Sequence, residues 1–115
     1  RFLRDIAKPI YGLALKTPDG VTVYGTNSRD WDGQRSFEAV RKGETVTVRV
    51  SAVFELVTGN YLLSLGVAEE EGEGILPLDR RYDAVEIYLT NPRYSFGLVD
   101  MKMAFQKVLA TQDRI

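Results

Sequence analysis

The sequence predicts an all-β fold, an antiparallel two-sheet sandwich of about seven to eight strands. Three observations carry this expectation. Apolar and polar residues alternate with a period of two in several segments, and β-branched and aromatic side chains fill those segments. Gly, Pro, Asn and Asp separate them at spacings of about 8 to 12 residues, the rhythm of short strands joined by turns.

Each element follows in order. Residues 10–16, IYGLALK, and 21–27, VTVYGTN, flank TPDG. Pro18, Asp19 and Gly20 suit a tight turn, so the pair reads as a hairpin. RDWDG follows as a polar loop around Trp31, the only tryptophan. RSFEAV then runs into RKGE, and TVTVRVSAVFELV at 45–57 is the longest strand candidate. TGN turns the chain into YLLSLGVA at 61–68, and EEEGEG at 69–74 reads as a charged, flexible loop. ILPL precedes the strand YDAVEIYL at 82–89, and Pro92 either closes that strand or begins the next turn. The last segment, FGLVDMKMAFQKVL, fits two patterns. Val99, Met101, Met103 and Phe105 alternate as a strand, whereas Leu98, Met101, Phe105 and Leu109 fall near one helical face. The need for a closing partner in the sandwich favours the strand.

A chain of 115 residues, 44% hydrophobic and 27% charged, predicts a single domain over 1–115. Its start at Arg1 rather than Met predicts a piece of a longer protein. Fifteen basic and sixteen acidic residues give a formal charge of -1, which offers no broad positive field for nucleic acid. No apolar run approaches the roughly 20 residues that span a bilayer. Cysteine is absent, consistent with a reducing compartment. Histidine is absent as well, which removes the commonest general base and the usual nitrogen ligand of zinc.

Alternation sorts the strand faces. Val46, Val48 and Val50 share one side; Thr47, Arg49, Ser51 and Val53 share the other. Tyr61, Leu63, Leu65 and Val67 read as core, with the Tyr61 hydroxyl bonded to a nearby loop, while Leu62, Ser64, Gly66 and Ala68 face away. If the TGN turn pairs the two strands, Ser51, Ser64, Gly66 and Ala68 form a shallow patch rimmed by Arg49. Val85, Ile87 and Leu89 point inward, leaving Ala84, Glu86 and Tyr88 outward; the last strand would present Asp100, Lys102, Ala104 and Gln106.

These outward sets combine aromatic rings, carboxylates, amides and cations. Sugars expose apolar C–H faces and many hydroxyls, so a sugar site needs this mixture. The competing reading is an ordinary solvated sheet face. Trp31 likewise either stacks on a sugar or folds back as a lid over the sandwich end. The acidic run Glu69–Glu73 lacks the spacing of a calcium loop, and Asp30 and Asp32 form too short a fragment for one, so no metal site is expected. Paired carboxylates for glycoside hydrolysis are not supported, because alternation sends Asp83 and Glu86 to opposite faces. Phosphate-binding glycine loops and the G-x-S-x-G elbow are absent. No catalytic residue and no cofactor is expected.

The order of motifs is more specific than composition. PIYGLALKTPDGVTVYGTNS, KGETVTVRV, GNYLLSLGVAEE, LDRRYDAVEIYL and FGLVDM, taken in sequence from Pro9 to about Phe105, resemble the carbohydrate-binding C-terminal domain of Wzt-type proteins. These are ATPase subunits of ATP-binding-cassette exporters of O-antigen polysaccharide. The resemblance implies an immunoglobulin-like sandwich that binds, without hydrolysing, the exported glycan near its non-reducing end. It also implies a cytoplasmic location at the inner membrane through the transporter. Implied partners are the ATPase domain, the transmembrane exporter subunit and a second copy of the chain, with the last strand exchangeable between copies. Gly12, Gly25, Tyr61, Gly66, Asp79, Arg80, Arg81 and Asp83 fall in segments shared across ligands and are assigned to the fold. Strand alternation then places ligand choice in Trp31, Arg49, Ser51, Ser64, Glu86, Tyr88, Lys102 and Gln106. The alternative is an assembly module whose Met101, Met103 and Phe105 strand forms a dimer seam without touching glycan.

Overall fold

A computed structural model describes residues 1–30 and 37–108. Four antiparallel strands form one sheet in the order β2-β1-β3-β4: β1 (Pro9–Lys16), β2 (Thr22–Asn27), β3 (Gly59–Glu71) and β4 (Gly74–Leu89). The described residues contain no helix.

The β1–β2 hairpin forms around the predicted turn. Gly20 adopts φ +94°, a conformation that disfavours side chains with a Cβ. The Thr17 N–H donates to the Val21 carbonyl at 2.9 Å, and the Val21 N–H donates to the Thr17 hydroxyl at 3.1 Å. Thr17 also bonds Asp19, so the turn is fixed by its own side chains.

The acidic stretch is strand rather than loop. Glu69, Glu70 and Glu71 continue β3 opposite Leu76, Ile75 and Gly74, leaving only Gly72 and Glu73 to reverse the chain. Gly72 takes φ +60°, which permits so short a connection. Pairing to Gly74–Leu76 supplies the strand structure that a charged segment alone gives no hint of.

β3 lies between β1 and β4, with Leu13, Leu15 and Tyr11 opposite Leu65, Leu63 and Val67. On the inner face Leu15, Leu56 and Tyr61 form a buried cluster, against which Val23, Leu63, Ile87 and Leu89 pack. Tyr61 is 3% exposed and its hydroxyl donates to the Val57 carbonyl at 2.6 Å, as the sequence predicts. Burial pushes its phenol above the ordinary range.

The opposing layer is not laddered. Among the described residues, most of the strand predicted over 45–57 and the described part of the one predicted over 96–109 carry no sheet hydrogen-bond ladder, and four paired strands stand where about seven to eight were expected. Among the described residues, isolated bridges join Ile6 with Val40 and Leu56 with Val99. Without a laddered second sheet, Leu65 and Val85 on the inner face stay exposed rather than entering the core. Val48 and Val50 lie across that face and enclose, with Tyr11, Leu13, Leu65 and Val67, a cleft of about 360 Å³. Met101, Met103 and Phe105 are exposed, Phe105 completely at 100%. The radius of gyration is 20.1 Å, against about 13 Å for a compact chain of this length.

Candidate functional site

The other face of the sheet is built from small side chains. Strand register aligns Asn27, Gly12, Gly66 and Arg80 in one row across all four strands. The next row holds Gly25, Ala14 and Ser64, and the third holds Thr22, Lys16, Leu62 and Glu86. Asn60 and Tyr88 pair one step further along. Because side chains alternate, residues two apart share this face and form a low floor with taller polar groups along its margins.

A bulge in β4 shapes the middle of the floor. Tyr82, Asp83 and Ala84 together oppose Ser64, since Leu63 pairs with Val85 and Leu65 with Arg81. Asp83 adopts φ +52°, uncommon for a residue with a side chain, and its N–H donates to the Ser64 hydroxyl at 2.9 Å. Lys16 Nζ lies 2.9 Å from Asp83 Oδ1, so an ion pair joins β1 to β4 above Ser64. Arg80 Nη1 donates to the Tyr82 hydroxyl at 3.4 Å. Tyr82 and Tyr88 are 70% and 67% exposed, leaving both rings open to solvent.

The β2 margin is stiffened by Asn27, whose side-chain amide donates to Asp30 at 2.9 Å and whose carbonyl oxygen accepts the Asp30 N–H at 3.0 Å. Bonds from Asn27 and then Arg29 hold the Asp30 carboxyl below its ordinary range. A second cleft, about 190 Å³, opens between Asn27 and Arg80 over Gly12 and Gly66. This face can stack rings on apolar sugar surfaces and exchange hydrogen bonds with hydroxyls.

Of the expected contact residues, Ser64, Glu86 and Tyr88 come together here. Arg49 and Ser51 do not lie beside Ser64, because β1 and β4 flank β3 and the 44–55 segment lies outside the sheet. Lys102 and Gln106 sit on the exposed 101–108 segment, and Lys102 Nζ pairs with Glu55 at 3.2 Å. Asp100, expected outward, is instead 7% exposed. Trp31 lies outside the described residues.

Lys16, Asn27, Arg80, Tyr82 and Asp83 also contribute to this face, although they were not among the expected contact residues. Extending the β4 alternation back through DRRYDA separates Arg80 and Tyr82 from Arg81, and that signal was present. The role of Lys16 depends on β1 pairing with β3, which no local pattern encodes.

Comparison with known proteins decides the family: the Wzt C-terminal domain matches residues 1–101. The chain belongs to the Wzt C-terminal domain family. A crystal structure of the C-terminal domain of wzt superposes with a TM-score of 0.85 at 32% identity, covering 93% of this chain and 65% of the solved one. The chain thus spans about two thirds of that Wzt domain structure. No curated relative matches. The all-β architecture agrees with Wzt membership, and among the described residues no helix is long and apolar enough to cross a membrane.

Proposed function

We propose that this domain binds O-antigen polysaccharide near its non-reducing end, without catalysis, on the small-residue face of its sheet. The alignment of Gly12, Ala14, Ser64 and Gly66 beneath Arg80, Tyr82, Glu86 and Tyr88 carries this reading, since it joins a flat floor to aromatic and charged margins. Wzt membership supports the glycan class and the setting, an ATP-binding-cassette exporter whose ATPase and transmembrane subunits bring the domain to the cytoplasmic side of the inner membrane. A shallow, wet site implies modest affinity. The test is titration with O-polysaccharide from the source bacterium and with dextran, followed by backbone NMR and Trp31 emission. Shifts confined to Ser64, Arg80, Tyr88 and their row neighbours are expected with the first; equal indifference to both glycans sinks the proposal.

A second reading concerns assembly, and a specific observation favours it. The open inner-face cleft and the exposed Met101, Met103 and Phe105 belong to one chain. Residues 101–108 of a second copy would run beside residues 44–55 and complete the immunoglobulin-like sandwich in a homodimer. Sedimentation should show a dimer that Phe105→Asp dissociates; a dimer indifferent to that change would require a different seam. Dimerisation without glycan response would favour the pure assembly role.

A further inference from the structure

The last described segment is anchored at home up to Asp100. The Val57 N–H donates to the Leu98 carbonyl at 3.1 Å, and the Asp100 N–H donates to the Glu55 carbonyl at 2.8 Å. Between these bonds Leu56 and Val99 form an antiparallel bridge. Asn91 secures the crossing from the side: its amide donates to Asp100 Oδ2 at 2.9 Å and to the Leu56 carbonyl at 3.1 Å. The Asn91 N–H in turn donates to the Thr58 hydroxyl at 2.8 Å.

Continued in the same register, the ladder would direct the next bond from the Lys102 N–H to the Val53 carbonyl. That N–H donates instead to Asp100 Oδ1 at 2.9 Å. Lys102 adopts φ +53°, and every residue from Met101 to Val108 is exposed. Arg93 Nη1 donates to the Met103 carbonyl at 3.2 Å just past the bend. The Asp100 side chain therefore takes the donor that in-chain strand pairing needs, and the left-handed residue turns the chain off its own second layer.

We infer that the Asp100–Lys102 turn is a hinge that directs the 103–108 segment away from its own sandwich and toward a second copy. This rests on the exchange proposed above and assigns its control to two residues. A closed monomer requires Lys102 to return to negative φ and give its N–H to Val53. The outward form requires φ near +53°, which Asn tolerates and a β-branched residue resists.

The test compares the 115-residue chain with its Lys102→Val and Lys102→Asn variants by sedimentation over a wide concentration range. Asn retains the hinge conformation while removing the ion pair with Glu55, so its dimer dissociation constant should stay within about threefold of wild type. Val should raise that constant about tenfold or more, because both hinges of a dimer must adopt the disfavoured region. Should Val fail to fold, Lys102→Thr repeats the test with a smaller side chain. A wild-type chain that remains monomeric removes the exchange reading and the hinge together. A wild-type dimer unaffected by Val or Thr, or weakened equally by Asn, leaves exchange standing and overturns the hinge.

Discussion

Tyr61→Phe isolates one buried bond at the base of the fold. The hydroxyl donates at 2.6 Å to the carbonyl of Val57, and both residues are buried. Removing it keeps the ring in the Leu15–Leu56 cluster but deprives the carbonyl of this donor. The loss of a net bond, together with the unsatisfied acceptor, should cost about 1–2 kcal/mol. Unfolding entropy of about 2.1 cal/mol/K per residue, applied to this length, converts that to a fall in Tm of about 4–8 °C. Tyr61→Ala, which also removes the ring, should cost about 3–5 kcal/mol. Urea and thermal unfolding followed by circular dichroism, at one fixed protein concentration, measure both changes. A Phe variant that melts within a degree of wild type refutes the reasoning, since the hydroxyl would then be as well served by water.

Other expectations follow from the same geometry. Tyr88→Ala and Arg80→Ala should each weaken O-polysaccharide binding about tenfold while changing stability by less than about 0.5 kcal/mol, read by titration and melting in parallel. Gly72→Ala forces a Cβ into φ +60° and should destabilise the β3–β4 hairpin by about 1 kcal/mol, measured by urea unfolding. Asp100 is held below the ordinary carboxylate range, first by the Asn91 hydrogen bond and then by the Lys102 N–H. Its folded pKa is therefore lower than its unfolded one. The stability it contributes is present above the unfolded value and is lost as pH falls through the carboxylate range toward the folded value. Urea midpoints between neutral and acid pH should fall less steeply in Asp100→Asn than in wild type; identical slopes would contradict this role.

The β1–β2 hairpin was legible because its signals are local. TPDG specifies the turn, and alternation on either side specifies the strands. Tyr61 was legible for a similar reason, as a large ring with a polar end at the start of an apolar run. The acidic stretch was misread because Glu69–Glu71 gain strand structure from Gly74–Leu76 across a two-residue turn, not from their own propensity. Of the candidate site, Ser64, Glu86 and Tyr88 followed from period-two counting alone. Lys16 and Asp83 did not, since their 2.9 Å pair crosses an intervening strand.

By itself the sequence determined the all-β class, the hairpin turn and which side chains share a strand face, because each depends on neighbours along the chain. Only the tertiary structure decided that β1 rather than the 45–57 segment lies beside β3, and so which faces form one floor. It alone decided that Asp100 is buried and that Lys102 bends away. Strand order and bulges arise from contacts between residues far apart in sequence, and period-two patterning is blind to the identity of the neighbouring strand.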